Sequence, residues 1–222
     1  MSATASPAPR TGIADLLAAL VAAEGTGGHD YPAAAALTRD SCATRNLADA
    51  VHYLGVLHGR QPDLIDHAAL RHPATPTGRF LGLAAREFAV ERAYLARLSV
   101  AAGPLPSTPG QADCENTVLA QHHALAMLAS SDRIGTALGA AAALLLDWRR
   151  VRMVLDVAAG RLGLDPPPCR LPGATETLDT VTQAIAGPAM ERATAFGAQQ
   201  LLLQQRGLWD LLAARAAARG EG

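Results

Sequence analysis

The sequence predicts an all-α fold: an antiparallel bundle of four long helices with an N-terminal annex of shorter helices. Three observations carry this. Runs that alternate β-branched or aromatic residues with polar ones do not occur, whereas alanine- and leucine-rich segments repeat their apolar positions at helical spacing. Proline and glycine clusters then cut the chain so that its long uninterrupted stretches fall after residue 76. Half of the 222 residues are hydrophobic and only 18% are charged, which suits a packed core and is too little charge for a coiled coil. A single domain of this size buries roughly 70% of its unfolded surface and needs neither disulfides nor metals to hold it.

The first 12 residues are small, polar and proline-bearing and read as a flexible tail; residues 13–219 read as one helical domain. Within it, 13–73 forms the annex and 76–219 the bundle. A first helix over 13–24 stops at Gly25-Thr26-Gly27-Gly28, and a short piece follows at 32–38. Asn46 is placed to cap a second helix that ends at Gly59, and Pro62 suits the first turn of another that ends before Pro73. Thr77 is the expected cap of a long helix to Ala102, closed by Gly103-Pro104. Thr108-Pro109-Gly110-Gln111 has the capping-box spacing and opens a helix to Ala129. Ser130-Ser131-Asp132 ends that helix and caps the next, which reaches Gly160. The run 164–168 carries three prolines and is extended. The last helix opens near Thr175 and continues toward Arg219, kinked or broken at Gly187-Pro188.

Composition excludes several chemistries. Every one of the 19 cations is arginine, so Schiff-base chemistry, pyridoxal phosphate anchoring and a phosphate-loop lysine are ruled out. The net charge of −1 offers no field for nucleic acid, and the run Arg149, Arg150, Arg152 has Asp147 and Asp156 beside it. The apolar stretch 13–23 is interrupted by Asp15, so it does not read as a signal peptide; three scattered cysteines fit a reducing cytoplasm. The longest apolar run, 134–146, is too short for a bilayer span, which needs about 20 residues.

Helical phase brings certain polar residues inward. Glu91 falls inside the stripe of Phe80, Leu81, Ala84, Phe88, Leu95 and Leu98, and Arg152 lies between Leu145 and Leu155 on a helix that is apolar nearly all round. An unpaired guanidinium there would be costly, so a carboxylate partner is expected. Glu115 and His122 run along the margin of the Cys114, Val118, Leu125, Leu128 face. The expectation is a cluster of Glu91, Glu115, His122 and Arg152 in the bundle core: a polar layer that fixes register, or a metal-free acid–base site.

Four of the seven histidines fall within 52–72. Asp49 and His52, at i and i+3, can chelate together, and with His58 and His67 they form a candidate metal set whose imidazoles and carboxylate suit zinc or non-haem iron. No H-x-x-x-H, H-E-x-x-H or repeated Glu-x-x-His is present, so a zincin or di-iron centre has no support. A G-x-S-x-G elbow is missing too, and Gly25–Gly28 follows a helix, not a strand, so it is no phosphate cradle.

The stretch 49–60, DAVHYLGVLHGR, together with Asp66-His67, Arg86-Glu87-Phe88 and Gln121-His122-His123, resembles an uncharacterised family of alanine-rich helical alphaproteobacterial proteins over about residues 40–163. The resemblance implies no activity and transfers no site. The expected function is therefore that of a non-enzymatic helical protein that binds a partner protein or a small apolar ligand. Its alanine- and glycine-rich faces also allow a homo-oligomer. The alternatives are a metal-dependent enzyme or sensor at the His/Asp set and the acid–base site in the core.

Overall fold

The most apolar helix of the sequence becomes the axis about which the others pack. The computed structural model describes residues 12–220 and is all-α, with nine α-helices and no strand among the described residues. They are α1 (Ile13–Glu24), α2 (Ala35–Thr38), α3 (Ala43–His58), α4 (Leu64–Leu70), α5 (Pro76–Ala102), α6 (Gln111–Ser130), α7 (Thr136–Leu162), α8 (Ala174–Ala184) and α9 (Pro188–Ala218). Two 3-10 turns, Thr26–Gly28 and Tyr31–Ala33, link α1 to α2. Of the expected flexible tail, residues 1–11 lie outside the described residues; Gly12 is the cap residue of α1.

Every residue from Thr136 to Leu145 is buried, as an all-round apolar pattern requires. α7 touches α1, α3, α4, α5, α6, α8 and α9, and packs most extensively on α9. Two glycines explain that preference. A Cβ on Gly139 would strike the carbonyl oxygen of Thr194 in α9, and a Cβ on Gly197 would strike that of Thr136 in α7. The two backbones therefore meet face to face, an approach that any side chain would block.

The segment 13–73 packs into the same core as the long helices. α3 packs against α5, α6, α7 and α9, and α4 against α5, α6 and α7, so one continuous core runs from Ile13 to Ala216. Several helix starts differ from the sequence expectation. Asn46 caps nothing; it is buried in the first turns of α3, where its side-chain N–H donates to Ala36 O at 2.9 Å. Asp63, one residue after Pro62, caps α4 in a reciprocal capping box with Asp66. Thr75 caps α5 with Pro76 at its first position, two residues ahead of Thr77. Thr108 is not a cap either: α6 starts at Gln111 after Gly110, whose φ of +73° favours glycine. The break at Gly187-Pro188 stands as expected and separates α8 from α9.

Candidate functional site

The two residues that interrupt apolar stripes, Glu91 and Arg152, do meet. Arg152 Nη1 donates to both Glu91 oxygens at 2.7 and 2.9 Å, and Trp148 Nε1 donates to Oε2 at 2.9 Å. Arg152 Nε donates to Asp156 at 2.7 Å, its Nη2 donates to Pro167 O, and its guanidinium lies 4.4 Å from the centre of the Tyr94 ring. Burial alone would pull the Arg152 pKa down, but the hydrogen bonds and charges of Asp156 and Glu91 raise it. Tyr94 donates to Leu155 O and Asp156, and burial together with that carboxylate pushes its hydroxyl up. The carboxylate and the guanidinium are satisfied and closed off by packing.

Glu115 and His122 do not join Glu91 and Arg152. In the first turn of α6 it is Cys114 that packs against the core, and Glu115 faces away from it. Glu115 is exposed and accepts from Gln111 at 2.8 Å. His122 is half-buried, with Nδ1 3.3 Å from Leu57 O, and lines a small crevice of about 70 Å³ with His67, Asp63 and Pro62. One candidate from each expected set thus ends in the same place. Asp63 is already engaged there: it accepts from Arg92 at 2.6 Å and from Ile65 N at 3.0 Å, and burial pushes its carboxyl up to about 6 against the opposing Arg92 charge.

The expected metal set is dispersed by stronger partners. Asp49 is 1% exposed and takes Arg215 Nη2 at 3.0 Å, Arg215 Nε at 3.1 Å and Arg219 Nη1 at 2.6 Å. Those guanidinium groups also bond Thr108 Oγ1, at 3.2 and 2.9 Å. His52 points its Nε2 to Gly103 O at 2.8 Å. His58 donates from Nε2 to Gln205 Oε1 at 2.7 Å and meets Trp148 edge-on; burial pushes its pKa down to about 4, and nearby His122 adds to that. Helical spacing placed Asp49 and His52 on adjacent turns, but their side chains diverge. Among the described residues no group of three or more His, Cys, Asp or Glu is arranged to hold a metal ion.

Sequence reasoning missed a further candidate site. A cleft of about 340 Å³ lies between the 26–39 segment and the outer face of α7. Val154, Val157, Met153 and Pro32 give it an apolar floor; His29, Arg39 and Arg150 stand at its edge. Its wall is pinned from behind. Asp147 accepts from Thr26 N at 2.8 Å and from Thr26 Oγ1 at 2.6 Å, and Trp209 Nε1 donates to the same hydroxyl at 3.0 Å. Gly25 makes this possible, because a Cβ there would lie 2.6 Å from Asp147 Oδ1. Burial raises the Asp147 pKa, and the two Thr26 bonds pull against it. His29 completes the wall: Nδ1 accepts from Tyr31 N at 3.0 Å, which leaves Nε2–H to donate to Asp210 at 3.0 Å. The available signal was Asp147 itself, a carboxylate that directly follows the apolar run 134–146.

A family model matches residues 21–220, from the end of α1 through all of α9. The chain belongs to DUF6975, a family of unknown function. No curated protein and no solved structure matches it. The DUF6975 match bears out the resemblance to an uncharacterised family and extends it beyond residues 40–163 in both directions. It takes in both the cleft and the closed ionic layers. No helix among the described residues is long and apolar enough to cross a membrane.

Proposed function

We propose that this DUF6975 protein is a non-enzymatic binding protein, and that the cleft between residues 26–39 and α7 holds a small ligand with an apolar body. The carrying observation is the cleft: about 340 Å³, floored by Val154, Val157, Met153 and Pro32, with a wall fixed by the Asp147–Thr26–Trp209 hydrogen bonds. Preformed concave sites of roughly 300–1,000 Å³ with mostly apolar lining and few polar groups are typical of small-molecule binding. The ionic clusters elsewhere support a passive role, because their charged groups are engaged with one another. A cytoplasmic setting, to which three free thiols are suited, and the lack of a nucleic-acid partner, which the net charge of −1 favours, belong to the same reading.

The test uses N-phenyl-1-naphthylamine, a neutral apolar fluorophore, with Ala33→Trp as the cleft-filling variant. Ala33 is exposed and lines the cleft, so an indole there fills space at little folding cost. The expected result is saturable fluorescence enhancement in the wild type, at least tenfold weaker in the variant with an unchanged melting temperature. Enhancement that is absent, or equal in both proteins, overturns the reading.

A further inference from the structure

The cleft's charge says more about its ligand than its shape does. Eleven residues line it; three of them are the basic side chains His29, Arg39 and Arg150, and none is acidic. Six arginines outside the cleft have an acid within 4.0 Å: Arg92, Arg152, Arg206, Arg215, Arg219 and, at 3.9 Å from Asp132, Arg71. Arg39 and Arg150 have none among the described residues. Arg150 Nη1 donates to the Met153 sulfur at 3.9 Å, and its side chain passes beside Gly27, where a Cβ would sit 3.4 Å from its Nε. Of the nearby acids, Asp147 feels the Arg150 charge but is buried and bonded to Thr26, Asp210 is bonded to His29, and Asp30 and Asp40 are exposed outside the lining.

We infer that the ligand is an amphipathic anion, an apolar chain ending in an oxyanion that docks between Arg39 and Arg150. Guanidinium forks pair bidentately with carboxylate or phosphate oxygens, so either head fits the shared chemistry. This rests on the cleft being the ligand site, and the experiment separates the two claims. Octanoate, octyl phosphate and octanol are titrated by calorimetry into the wild type, Ala33→Trp and the double variant Arg39→Gln/Arg150→Gln. Both arginines are exposed, so the double variant keeps its fold. Two solvent-accessible ion contacts predict that octanoate binds about tenfold tighter than octanol at low salt, with the advantage gone in the double variant and reduced at 1 M NaCl. A still tighter octyl phosphate marks a phosphoester ligand; parity with octanoate marks a carboxylate; both support the anion. Octanol binding that Ala33→Trp abolishes, without any octanoate advantage, keeps the cleft and overturns the anionic head. An octanoate advantage that survives in the double variant overturns the docking at these arginines, and no binding of any probe overturns both claims.

Discussion

Replacing Arg152 by methionine tests whether the Glu91 layer is a closed structural device. Met fills nearly the same length without charge, so the change isolates the polar contacts. Arg152 makes two bonds to Glu91, one to Asp156 and one to Pro167 O, and the Glu91 side chain is 1% exposed. In the variant Glu91 keeps a single donor, Trp148 Nε1 at 2.9 Å. Breaking a buried pair by removing one partner costs about 3–5 kcal/mol, because an uncompensated charge stays inside. Asp156 adds little, since its side chain is 42% exposed. A loss of about 4 kcal/mol lowers the melting temperature by about 12 °C for a domain of this size. Taking up a proton is the cheapest relief for the stranded Glu91 carboxylate, so Arg152→Met loses less stability at pH 5 than at pH 8. Urea denaturation at both pH values, followed by far-UV circular dichroism, reads both effects. A loss under about 1 kcal/mol that is the same at both pH values would refute the reasoning, for it would mean that Glu91 reaches water or another cation.

Other substitutions address separate parts of the fold. Gly139→Ala or Gly197→Ala forces α7 and α9 apart at the backbone contact and should cost about 3 kcal/mol or more, whereas Gly160→Ala, with open space around its Cβ position, should be neutral or slightly stabilising; thermal melts of the three compare them directly. His58 stays neutral in the fold down to about pH 4, while the unfolded imidazole takes a proton near 6.5, so its contribution is complete above pH 6.5 and is lost as the pH falls to about 4. That is about 3 kcal/mol, and the difference in stability between wild type and His58→Gln should shrink by that order across the window in urea titrations. Thr26→Val leaves Asp147 and Trp209 without their shared hydroxyl; about 2 kcal/mol of stability should go, with faster amide exchange over residues 26–33 by mass spectrometry.

The parts of this molecule that could be read from its sequence are those where one residue contradicts its surroundings. α7 is central because it is apolar on all sides, and the Glu91–Arg152 pair was visible because each member interrupts an apolar stripe. Periodicity gives the face of a residue but not how far burial spreads across it: Glu115, at the margin of the α6 stripe, is exposed, although Cys114 beside it packs against the core. Nor does it give distant partners. Asp49 looked like a ligand beside His52, and its actual partner, Arg215, lies 166 residues away. The i, i+4 pair Arg215 and Arg219 on the alanine-rich last helix was the overlooked counterpart of that aspartate. Gly25–Gly28 was read correctly as a helix stop, but a stop signal carries no information about the Asp147 carboxylate that the turn wraps.

The buried ionic contacts share a pattern that bears on why they exist. Arg152–Glu91 ties α5 to α7, Arg92–Asp63 ties the start of α4 to α5, and Arg215 and Arg219 tie α3 to α9 through Asp49. Aromatic residues are only 4% of the chain, and alanine-rich faces offer little shape to distinguish one helix register from the next. A charge that must find its partner supplies the missing discrimination, even where it adds no stability. The double variant Glu91→Leu/Arg152→Met separates these roles. Removing both charges replaces an ion pair with apolar volume, which is often neutral or stabilising, against about 1–3 kcal/mol for the orphaned Trp148 N–H. The expected protein is therefore within about 2 kcal/mol of the wild type and far more stable than Arg152→Met, yet less uniquely packed. Its amide resonances should broaden around α5 and α7, and slowed rotamer exchange should give way to fluctuation there. If the double variant instead keeps a sharp, single set of resonances at wild-type stability, these layers do not specify register, and steric packing at Gly139 and Gly197 must do so alone.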